Sequence, residues 1–146
     1  MLFRSGSNLR GVLFFDTNLS GSDLSNTDLS GSNMRKANLD GTNLFEANLS
    51  CARGVVALGC TPSGPALMVP LPNGTWRLDV GCWEGTTTDL RDMIAGESWP
   101  EAIGMEKDRR RPILTTLADL ADAQAAYHHD WLQAVVKRWG DKEATR

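Results

Sequence analysis

The chain has 146 residues, 41% hydrophobic and 23% charged, a composition that excludes disordered and membrane-embedded classes and leaves room for one ordinary domain or two small ones. Its net charge of −3 lies wholly in residues 59–146, since residues 1–58 carry five basic and five acidic side chains; neither part has the basic surplus of a nucleic-acid binder. Three cysteines (Cys51, Cys60, Cys82) without a CxxC, a start without a signal-peptide pattern, and no run near the roughly 18 apolar residues of a membrane span predict a reducing, cytoplasmic setting.

The first element is a repeat. A large apolar residue recurs at every fifth position: Leu9, Phe14, Leu19, Leu24, Leu29, Met34, Leu39, Leu44 and Leu49. Neither the 3.6-residue period of a helix nor the two-residue period of a strand fits this spacing. Two positions before each stands a residue that is nearly always small (Ser7, Val12, Thr17 and onward to Ala47). Asn or Asp lies between, except at Leu13, and Gly11, Gly21, Gly31 and Gly41 follow at every tenth residue.

These units resemble the pentapeptide-repeat family, whose pattern is A(D/N)Lxx, over roughly the first third of the chain. The resemblance implies a right-handed, quadrilateral β-helix with one repeat per side, here of about two coils. The central and small residues would point inward, Asn or Asp would bond the backbone at each corner, and glycine would accept positive φ. Residues 20 apart should then stack, and both open ends need capping, by Met1–Phe3 at one end and by the rest of the chain at the other. The family's gyrase-binding activity requires a long acidic rod that imitates DNA; a neutral shaft of two coils does not carry it over.

At Gly54 the repeat fails, which predicts domains at 1–54 and 66–146 joined by a linker at 55–65 containing TPSGP. ALMVPLPNGTWRLDVGCW reads as a β-hairpin turning at Asn73-Gly74, with Trp76, Leu78 and Val80 on one face of its second strand. TTTDLRDMIAG reads as a short helix, N-capped by Thr88 and stopped at Gly96. A long amphipathic helix is predicted to start at Pro112 and run to about Arg138, with Ile113, Leu117, Leu120, Gln124, Tyr127 or His128, Trp131, Val135 and Trp139 on its apolar face. The fold class is therefore a mainly β repeat followed by an α+β part. All five tryptophans lie in that part, and some should pack on the repeat or on a second copy. The order of a short repeat followed by WRLDVGCWEGTTTDLRDMI and RRRPILTTLADL also resembles small proteins encoded by bacteriophages and prophages.

Candidate chemistry is sparse. His128-His129 lacks a metal-ligand spacing, so one ring should lie on the apolar face and the other in solvent. Cys82 is read as a buried structural thiol rather than a nucleophile. Arg109, Arg110 and Arg111 before Pro112 either pair with Glu101, Glu106 and Asp108 or, at a helix N-terminus, form an anion site flanked by Trp76, Trp83 and Trp99. No catalytic residue, metal or cofactor is predicted. The expected function is a non-catalytic, homo-oligomeric interaction or assembly protein, with Trp131, Val135 and Trp139 as interface candidates. The expected partners are itself and an unknown protein, but not DNA or a membrane. The alternatives are capture of a small anionic nucleotide signal of host defence, and a decoration or structural role in a virion.

Overall fold

The computed structural model describes residues 6–96 and 104–140. The expected cap at Met1–Phe3 lies outside them. Across the repeat, every bridge is parallel and joins residues 20 apart, from Asn8–Asp28 to Asn33–Arg53. Four five-residue segments thus complete one coil. From Leu9 to Met34 the amide of each central residue donates to the coil that follows, as from Leu9 to the Asp28 carbonyl (2.8 Å) and from Leu29 to that of Asn48 (2.8 Å). Between the segments the chain turns: Val12 N–H donates to Leu9 O, Thr17 to Phe14, and Ser22 to Leu19. Seven of the central side chains from Leu19 to Leu49, together with Phe14, fill one buried core.

The Asn and Asp residues act where expected. Each accepts the amide two residues on, as Asn18 does from Ser20 (3.1 Å), Asp23 from Ser25 (3.0 Å) and Asn43 from Phe45 (3.0 Å). Leu13, which cannot, points into solvent. The left-handed conformation falls three residues later, at Gly11, Asp16, Gly21, Asn26, Gly31, Lys36, Gly41, Glu46 and Cys51, all with φ between 56° and 69°. That is the third position of a type II-like turn, where positive φ is obligatory. Glycine fills only alternate corners, so a side chain is tolerated at the others.

The repeat ends because Gly54 lies directly on the Met34 backbone: a Cβ there would come within 2.5 Å of the Met34 carbonyl carbon. Residues 55–65 are not a linker, in contrast to expectation. They contain strand β1 (Val56–Thr61) and the turn into β2 (Gly64–Pro70), closed by the Thr61 hydroxyl on the Gly64 carbonyl (2.9 Å). β3 (Trp76–Val80) and β4 (Trp83–Gly85) complete an antiparallel sheet in the order β1-β2-β3-β4. The predicted hairpin is β2–β3, and its loop is held by Asn73, whose side chain accepts from both the amide and the hydroxyl of Thr75.

β2 is buried on both faces. Leu67 and Val69 enter the core of the repeat, whereas Ala66 and Met68 join a second core with Leu78, Val80 and the helices. The sheet is therefore a middle layer that closes one end of the repeat, and side chains alternate between its two faces.

Helix α1 (Thr87–Ala95) is capped by Thr86, not Thr88: the Thr86 hydroxyl accepts from Asp89 N–H while the Asp89 carboxylate accepts from Thr86 N–H. This reciprocal pair needs the cap and N3 residues three apart, and Asp89 selects Thr86. Gly96 ends the helix as expected.

The long helix is two helices, α2 (Gly104–Tyr127) and α3 (His129–Trp139), broken at His128. Pro112 lies inside α2, so the expected start is about two turns late. The apolar face is also rotated from the predicted one. Leu114, Leu117, Ala118 and Ala121 are buried in α2, and Leu132 and Val135 in α3, while Ile113, Leu120 and Tyr127 are exposed.

Candidate functional site

The three arginines diverge. They occupy the second and third turns of α2, where the backbone amides are committed to the helix, so no free N-terminus supports an anion site. Arg109 is exposed and 3.7 Å from Glu106. Arg110 donates to Glu106 Oε1 (2.8 Å) and to Ser63 Oγ (3.2 Å), tying α2 to the β1–β2 turn. Arg111 donates to the carbonyl of Ile94 at the end of α1. Glu106 is held below the usual carboxylate range, first by its hydrogen bond from Arg110. Of the other residues grouped with this cluster, Trp99 and Glu101 lie outside the described residues, and Trp76 and Trp83 belong to the sheet.

The residues proposed for an oligomer interface make contacts within the chain. Val135 is buried and Trp131 packs against the sheet–helix core, stacked on His128 at 3.9 Å between ring centroids. His129 is exposed. Trp139 donates its indole N–H to the carbonyl of Lys36 (2.5 Å), and Arg138, whose guanidinium lies 3.9 Å from the Trp139 ring centroid, bonds Asp16 (2.8 Å). The end of α3 is thereby strapped to two corners of the repeat, one coil apart. One tryptophan does pack on the repeat, as expected. Cys82 is exposed, contrary to its reading as a buried thiol, because it sits in the tight β3–β4 turn.

Two surfaces remain. The first is the outer side of α2, where Ile113, Leu120 and Tyr127 are 44%, 41% and 80% exposed. Seven-residue spacing places all three on one stripe.

The second is a groove of about 790 Å³ between the side of the repeat and the repeat-facing side of the sheet. The register of β2 with β3 sets Arg77 opposite Val69 and Asp79 opposite Leu67, so this pair looks towards the repeat and not towards solvent. Arg77 forks onto Asp79 through Nε–Oδ1 (2.9 Å) and Nη2–Oδ2 (3.0 Å), with Glu84 at 3.9 Å. Burial still raises the Asp79 carboxyl above its usual range, against the opposing pull of Arg77. On the other wall stand Asp40, Asn43, Phe45 and Glu46. Trp76 and Trp83 also line the groove, and the Trp76 indole N–H is buried without a hydrogen-bond partner. None of the three clustered arginines reaches it. Sequence reading missed this groove because its walls are brought together only by the sheet docking on the repeat. The one legible signal was Phe45, an aromatic at an outward position.

A family model described as pentapeptide repeats matches residues 5–31 and 13–50, in eight copies. The first third of the chain is therefore of the pentapeptide-repeat type, which in general serves interaction and structure rather than catalysis. No curated protein and no solved structure matches this chain. Among the described residues no group of three or more His, Cys, Asp or Glu side chains is placed to hold a metal, and no helix is long and apolar enough to cross a membrane.

Proposed function

We propose that this protein is a non-catalytic, self-associating interaction and assembly protein. Its repeat, a right-handed, four-sided β-helix, acts as a rigid spacer, and the outer side of α2 joins two copies. The observation that carries this reading is the exposed stripe of Ile113, Leu120 and Tyr127 along α2. Running two copies of α2 in opposite directions about a two-fold axis near Leu120 pairs Ile113 with the partner's Tyr127 and sets the two Leu120 side chains together. The divergence of the arginines is why assembly is preferred to capture of an anionic nucleotide. A phage or prophage source, with work in the host cytoplasm or in a virion, is part of this proposal and rests on the order of the repeat and the motifs that follow it. Sedimentation tests the reading: wild-type protein should be a discrete dimer at micromolar concentration and Leu120→Glu a folded monomer. A wild type of 15.9 kDa throughout that range would sink it.

A further inference from the structure

The groove beside the sheet takes no part in that assembly, and its chemistry differs from that of the α2 stripe. Four carboxylates line it (Asp40, Glu46, Asp79, Glu84) against one guanidinium, Arg77, which Asp79 already holds through two nitrogens. An anionic ligand would meet Asp40 and Glu46, which this arginine does not pair with, and Glu84, which it reaches only at 3.9 Å. A cation would lower the repulsion among them.

The repeat itself shows what an outward phenylalanine on its side accommodates. Phe15 and Phe45 hold the same place in their units, just after Phe14 and Leu44, and are 47% and 41% exposed. Over Phe15 the Lys36 ammonium stands 5.5 Å from the ring centroid. Phe45 has Asn26 beside it in the preceding coil and Glu46 next in the chain, and among the described residues no lysine or arginine stands over its ring. The ring face and the adjoining carboxylates together form the place that an ammonium or guanidinium fills by combining cation–π and charge attraction.

We propose that this groove binds an extended, basic segment of a partner protein, with a lysine or arginine side chain over Phe45 and its charge among Asp40, Glu46 and Glu84. A volume of about 790 Å³ exceeds one side chain and suits several residues of peptide. Asn43 and Asn73, on opposite walls, turn their amide oxygens onto the backbone amides of Phe45 and Thr75 (3.0 Å each). Their NH₂ groups are then available to the carbonyls of an extended chain.

The test is fluorescence anisotropy with a labelled peptide of alternating lysine and serine, and a control in which glutamine replaces lysine. The lysine peptide should bind and the control should not, with an affinity that falls as salt rises. Phe45→Leu and Glu84→Gln should each weaken binding about five- to tenfold, since cation–π and exposed charge contacts are of that order. Circular dichroism checks that both variants are folded. Leu120→Glu, which tests assembly, should bind the peptide like the wild type, so loss of self-association and loss of peptide binding report separately. No binding by the wild type would overturn the proposal. So would equal affinity in the Phe45 and Glu84 variants, or full competition by spermine at matched charge, which would assign the groove to a small polyamine.

Discussion

Ser22 and Ser32 lie inside the repeat, 1% and 0% exposed, and their hydroxyls have no hydrogen-bond partner. Thr42, at an equivalent inward place, donates to the Leu19 carbonyl (2.9 Å), and Ala37 fills another such place with no polar atom. A buried hydroxyl left unbonded costs about 1–3 kcal/mol, and a satisfied one contributes about 1 kcal/mol. Ser32→Ala should therefore raise stability by about 1 kcal/mol and Thr42→Ala lower it by a similar amount, read as opposite shifts of the urea midpoint. A central position is less forgiving. Leu29→Asp buries a carboxylate at a position fully closed to solvent and should cost several kcal/mol, enough to unfold the repeat. Unchanged melting of Leu29→Asp would remove the basis for an inward-facing column.

At the scale of the element, short-range hydrogen bonds hold the turns and caps. Asp23 and Asp28 sit below the usual carboxylate range because they accept from the hydroxyl and amide of Ser25 and Ser30. Their contribution is present above the ordinary Asp range, near pH 4, and fades as pH falls through their lowered folded values. The urea midpoint should decline below about pH 4, and Asp23→Asn with Asp28→Asn should flatten that decline. Thr86→Ala should cost about 1 kcal/mol by removing the cap of α1. The repeat was legible because each unit's role is set by residues within five positions of it. The second half was legible in kind but not in phase. Three consecutive threonines hid which one caps α1, and only the partner Asp89 decides it. β1 reads as part of a linker because VVALGC breaks its alternation with a glycine and leaves outward residues exposed. On α2, Lys107 is buried and Arg110 and Arg111 are half-buried on the inward side, so counting only apolar residues turned the predicted face towards Ile113 and Leu120. Long cationic side chains can bury their stems while their heads find partners, which hides the inward line from a hydrophobic pattern.

The whole molecule is held as one unit at two places. β2 lends alternate side chains to both cores, and α3 returns to the repeat through Arg138 on Asp16 and Trp139 on the Lys36 carbonyl. Neither half can lose its packing without exposing the other. Far-ultraviolet circular dichroism and tryptophan fluorescence should report a single coincident transition. Trp139→Ala should lower stability by about 1–3 kcal/mol, since it removes packing and leaves the Lys36 carbonyl without its donor. The groove was illegible for the same reason that the unit is cooperative: its walls come from residues far apart in the chain. The 20-residue stacking distance also governs how this chain can change length. Gaining or losing a single five-residue unit inside the repeat preserves every local turn, yet it carries all that follows round by a quarter of a coil. Leu67 and Val69 would then arrive at the wrong side, and Arg138 would miss Asp16. A whole extra coil placed ahead of Asn8 disturbs none of these meetings and only lengthens the stack. Variation in this molecule is thus quantised: whole coils added ahead of Asn8 are silent to the rest of the fold, whereas inside the repeat any number of units that is not a multiple of four is a rotation.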